Sequence, residues 1–181
     1  MKIRFVALLC VIAILGSSCD DGGGGGGTGG GTDEEIAGRT ANQFFLSFFG
    51  MLTGSRGPDE FINLFEPACR DKASASELAG VLAFIRAFVP DLAKVKIDDV
   101  DLGKLEIIRS GEAYLVRPVD PMAIRIKADG KWVDADEYLG SLGFSDSEES
   151  PADTEQLAVV VRDGKGYISD CSGLEDFSFG S

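Results

Sequence analysis

The hydrophobic pattern of this chain changes period once, at Pro90. From residue 33 to that point apolar residues recur at helical spacing; beyond it they alternate. "TDEE" at 32–35 reads as a capping box with Thr32 as N-cap, and Phe44, Phe45, Phe48, Phe49 and Leu52 form a stripe behind it that ends at Gly54. "GPDEFINLFEP" reads as a second, short helix, started by Pro58 and stopped by Pro67. "SASE" at 74–77 is another capping box, followed by a stripe of Leu78, Val81, Leu82, Ile85 and Phe88. Eight of the twelve phenylalanines fall between 44 and 88, so these stripes are expected to build the core rather than a cofactor site.

After Pro90, "KVKIDDVDL" leads into strands. Three hairpins are predicted, about Ser110-Gly111, Asp129-Gly130 and Asp163-Gly164, with a short helix or turn at "DADEYLGSLG" and a polar, acid-rich loop at 145–155. Helices first and antiparallel strands after them define an α+β chain, with N-terminal helices packed on a curved antiparallel sheet. The leading amphipathic helix, "DEFINLFEPACRD" and the closing "DGKGYISDC" together resemble the nuclear transport factor 2-like, or cystatin-like, cone, over roughly residues 34 to 177. That resemblance implies a concave sheet with room for a pocket between it and the helices. The acidic loop before the last hairpin departs from it as an insertion.

The N-terminus carries an address. Lys2 and Arg4 precede an unbroken apolar run from Phe5 to Leu15, and Gly16, Ser17 and Ser18 are small. This is the form of a secretory signal, too short to span a bilayer. "LGSSC" resembles the bacterial lipobox, although Leu15 stands four places before the cysteine rather than the commoner three. The resemblance implies cleavage after residue 18, diacylglycerol on the Cys19 thiol and an acyl chain such as palmitate on its amine. More than one chain is what holds a protein stably at a membrane. If the envelope has an outer membrane, Asp20 and Asp21 resemble a signal for retention at the inner one. The alternative is ordinary secretion with a free Cys19. Nine of the 24 glycines lie between Asp21 and Thr32, a flexible tether with a reach of about 19 Å. The expected organisation is therefore a signal at 1–18, a lipidated cysteine and tether at 19–32, and one α+β domain at 33–181, on the extracytoplasmic face of the cell membrane.

Without residues 1–18 the chain holds 15 basic and 30 acidic residues, a net of −15. Such a surface repels nucleic acid. Cys10 falls in the signal, which leaves Cys69 and Cys171 as a pair in an oxidising compartment; a disulfide is expected, with two buried thiols as the alternative. The chain has no histidine. Ser-His-Asp and Cys-His catalysis and histidine-ligated metals are thereby excluded. Asp98, Asp99 and Asp101 lack the glycine and terminal glutamate of a calcium loop, so no metal or cofactor is expected. The reading is a non-catalytic module that binds an apolar ligand or an envelope protein. Tyr114, Arg117, Trp132 and Tyr167, the bulky or charged exceptions in aliphatic hairpins, are the pocket candidates. An inward Arg117 would need an anionic partner. The alternative is a small isomerase- or dehydratase-like enzyme using Tyr114, Tyr138, Tyr167 and Asp170 in the same pocket, as a Tyr and carboxylic acid do in ketosteroid isomerase.

Overall fold

Thr32 starts the first helix as its sequence predicts: its hydroxyl accepts from the Glu35 amide at 3.3 Å, and the Glu35 carboxylate accepts from the Thr32 amide at 2.9 Å. The resulting α1 (Asp33–Thr53) ends at Gly54, whose φ of 82° is the left-handed cap that glycine adopts without strain. The computed structural model describes residues 31–72, 74–120, 123–141 and 156–175. The signal segment, Cys19, nearly all of the glycine tether and the 145–155 loop lie outside the described residues.

The second helix is shorter than expected. It runs Pro58–Ile62 (α2), and Pro67 does not stop it but opens a separate turn, α3 (Pro67–Arg70). Proline serves equally as a stop and as a first helical residue, because its missing N–H is unneeded there. Arg70 then caps the region, its guanidinium donating to the carbonyls of Phe65 and Asn63 at 2.9 Å each. The Ser74–Glu77 capping box forms and starts α4 (Ala75–Phe88). A 3-10 turn at Leu92–Lys94 leads to β1 (Ile97–Asp101).

The expected single curved sheet is instead two antiparallel sheets. β2 (Leu105–Ser110), β3 (Ala113–Pro118), β6 (Leu157–Arg162) and β7 (Lys165–Ile168) make a four-stranded sheet in that order. β1 skips the first hairpin and pairs with β4 (Arg125–Ala128), which pairs with β5 (Lys131–Asp134). Among the described residues two further short helices follow, α5 (Ala135–Ser141) and α6 (Ser172–Glu175). Alternation reports that a segment is a strand, not which strand it will join.

The turns show their chemistry. Asp129-Gly130 and Asp163-Gly164 have positive φ at both residues (49° and 78°, 53° and 74°), the type I′ geometry. The first hairpin turns one residue later than predicted, on Gly111-Glu112, because Ser110 pairs with Ala113 and the positive φ belongs to the first turn residue, as in type II′.

α1 lies across both sheets. A Cβ on Gly38 would touch Ile107 and Leu105 of β2 at 3.4 and 3.5 Å, and Asn42 donates to the Val100 carbonyl of β1 at 3.0 Å. At Gly166 of β7 the approach is closest. A Cβ there would stand 2.0 Å from the Thr40 hydroxyl and 2.9 Å from Thr40 Cβ, so no rotamer of Thr40 makes room. Gly166→Ala is therefore expected to cost about 1 to 3 kcal/mol, the usual range for overpacking. Denaturant titration checks this, and Thr40→Gly in the same chain should recover most of the loss. An unchanged midpoint for the single variant would mean that α1 is not seated there. Beneath α1, Phe61 contacts the rings of Phe44 (5.2 Å), Phe65 (5.3 Å) and Phe48 (6.3 Å), which gives the helical half its aromatic core.

The edge of β7 is covered at its last residue. Ile168 donates to Leu64 O at 2.8 Å and its carbonyl accepts from Glu66 N at 2.9 Å, so residues 64–66 add one rung of parallel pairing beyond the hairpin.

Candidate functional site

Strand parity distributes the four pocket candidates. Along β3 the side chains alternate, so Tyr114 and Val116 turn inward and Arg117 turns out. Cross-strand register sets Val159 and then Ile168 beside Tyr114, and all three are buried, which makes Tyr114 part of the core under α1. Arg117 stands opposite Glu106 and its Nε lies 2.6 Å from the Glu106 carboxylate. Its anionic partner is thus on the same outer face, with both side chains a third or more exposed. Tyr167 pairs with Val160 and faces the same way as Arg117; the Arg70 guanidinium sits 5.8 Å from its ring centroid. Trp132 belongs to the other sheet, 43% exposed, with Arg125 5.5 Å from its ring centre and ion-paired to Asp101. The four residues therefore occupy three different surfaces.

The acidic segment 98–101 is accounted for without a ligand. Lys96 bonds Asp98 at 2.7 Å, which holds the Asp98 carboxyl below and the Lys96 ammonium above their ordinary ranges. Asp101 is likewise lowered, first by the Arg125 hydrogen bond and then by the Gly103 amide. Asp99 accepts from the Val100 amide. Among the described residues no three His, Cys, Asp or Glu side chains are grouped to hold a metal ion.

For acid–base chemistry the relevant group is Tyr138. Burial raises its pKa, with a further push from the Asp129 charge, and among the described residues its hydroxyl is a buried oxygen without a hydrogen-bond partner. The phenol is kept neutral. Asp170, the carboxylate considered with it, accepts from the Ser172 amide instead.

Cys69 and Cys171 are joined. Their sulfurs are 2.02 Å apart and their Cα atoms 5.1 Å, closing 102 residues. The bond ties α3 to the segment that leaves β7, two elements already aligned by the Phe65–Ile168 rung.

The surface feature that the sequence reading missed is on α4. Its buried side is Leu78, Leu82 and Ile85, and Phe88, expected in that stripe, is 56% exposed. Phe84, one turn before it, is 57% exposed and its ring lies 4.6 Å from that of Phe88. The available signal was the i, i+4 pair itself, which at 100° per residue falls beside the Leu78–Leu82–Ile85 stripe. Among the described residues no helix is long and apolar enough to cross a membrane. Compared with known protein families, curated proteins and solved structures, the chain matches none.

Proposed function

We propose that this protein is a lipoprotein of the extracytoplasmic membrane face, held by Cys19 and a glycine tether, whose folded domain is a non-catalytic interaction module. The observation that carries the reading is the Cys69–Cys171 bond. Such bonds persist where thiols are not kept reduced, which agrees with export directed by residues 1–18. "LGSSC" followed at once by glycines supplies the anchor chemistry.

The finer architecture we assign is the nuclear transport factor 2-like, or cystatin-like, cone. Its support is the long first helix lying against strands of both sheets, with the Tyr114–Val159–Ile168 face turned toward it. The dispersal of Tyr114, Arg117, Trp132 and Tyr167 over three surfaces favours contact with a partner protein or surface over capture of an apolar ligand by those residues.

Cys19→Ser tests the anchor. The variant should leave the membrane fraction, and cleavage before residue 19 should stop. A variant that is processed and fractionates as the parent does would defeat the proposal.

A further inference from the structure

The same dipeptide stands at a hairpin tip in each sheet. "ADGK" at 128–131 joins β4 to β5, and "RDGK" at 162–165 joins β6 to β7. Both Asp-Gly pairs are exposed, and both make type I′ turns. A Cβ on either glycine would meet nothing within 4 Å, so access is equally open at the two. Their own chemistry does not distinguish the tips; their surroundings do.

The Asp129 tip is fastened from outside its hairpin. Its amide donates to the Lys96 carbonyl at 2.9 Å, and its carboxylate accepts from the Lys96 amide at 3.0 Å. The Gly130 amide is turned toward the Asp98 carboxylate and favours its ionised form. The carboxyl of this dipeptide and the nitrogen that follows it are thus both occupied. The Asp163 tip is built without such contacts. Among the described residues neither the Asp163 carboxylate nor the Gly164 amide bonds to anything beyond its own hairpin. The ion pairs there belong to Arg162, with Glu66 at 3.2 Å and Glu112 at 3.6 Å, and they stop one residue short of the tip.

We propose that Asp163-Gly164 is a site of spontaneous isoaspartate formation in the folded protein, and that Asp129-Gly130 is protected from it. The Gly164 nitrogen attacks the side-chain carboxyl carbon of Asp163 in its protonated form. A carbon–nitrogen bond forms, a carbon–oxygen bond breaks, and the hydroxyl leaves with the amide proton as water. The product is a five-membered imide. Water then adds to one of its two carbonyls, and the carbon–nitrogen bond breaks there. Opening at the side-chain carbonyl restores aspartate. Opening at the main-chain carbonyl leaves the chain running through the side chain, as isoaspartate. One water is lost and one is gained, so no other reactant is needed. The turn must open for the nitrogen to reach the carboxyl carbon, and local opening is easiest at an exposed tip with no outside contacts. At Asp129 two further hydrogen bonds, one of them to a carboxylate, must break first, which slows the reaction by about tenfold or more. Isoaspartate adds a main-chain carbon to a two-residue turn, and the Arg162–Lys165 pairing below the tip has no room for it.

The test ages the folded full chain in warm, mildly acidic buffer and maps it with a protease that cuts before aspartate but not before isoaspartate. Chain left uncut at position 163 should accumulate about tenfold or more faster than chain left uncut at position 129. An isoaspartate-specific methyltransferase should label the peptide that contains position 163. The same incubation in guanidinium chloride gives the intrinsic rates, and there the two sites should react alike, since both read Asp-Gly-Lys. Equal rates in the folded chain overturn the inference, as does faster reaction at position 129. Reaction at both sites in denaturant with none at position 163 in the folded chain overturns it too. So does a ratio in denaturant that matches the folded one, because the difference then belongs to the flanking residues and not to the fold.

Discussion

Reducing the Cys69–Cys171 bond lowers the thermal midpoint by about 10 to 15 °C. The bond closes 102 residues, for which loop-closure entropy gives about 4 to 5 kcal/mol. In a domain of this size each kcal/mol moves the midpoint by about 2 to 4 °C. The native side adds to the effect, since Cys69 is fully buried in the core and Cys171 packs against it. The cleanest comparison is oxidised against reduced protein by calorimetry, with the Cys69→Ala/Cys171→Ala double variant as a reductant-free control. Ready alkylation of both thiols in the native, unreduced protein would show that the pairing is wrong, and equal midpoints would show that it carries no stability.

Phe61→Ala should be the most damaging single substitution outside the disulfide, at about 3 to 5 kcal/mol. Phe61 is completely buried and meets three other rings, so its loss leaves a cavity bounded by Phe44, Phe48 and Phe65 that α2 is too short to close. Phe84→Ala removes an equal number of atoms from the surface of α4 and should cost less than about 0.5 kcal/mol. Urea titration of the two variants separates them. Equal losses would place both rings in one kind of environment and contradict the division between them.

That division marks how far the sequence could be read. Capping chemistry was fully legible: Thr32 with Glu35 and Ser74 with Glu77 start their helices where the pattern says, and both Asp-Gly turns form as expected. These features depend on residues three or fewer apart. Pro67 misled because one residue type fits two opposite positions at a helix end. The pairing of β1 with β4 was out of reach, since it joins strands separated by an intervening hairpin and leaves no local mark. The pocket candidates were chosen by side-chain type, whereas the face each one occupies follows from strand parity. The three-residue spacing of Tyr114 and Arg117 already put them on opposite faces.

The rung between Phe65 and Ile168 has a consequence for how the chain behaves among its own copies. Lys165–Ile168 is the last strand of its sheet, and an uncovered last strand is a template onto which a neighbouring chain can add. Residues 64–66 occupy the end of that template, at Ile168, from within, and the Cys69–Cys171 bond a few residues away keeps them there. Covalent closure therefore holds this internal cover in place, and reducing the bond is expected to leave the end of the strand more open to a neighbouring chain.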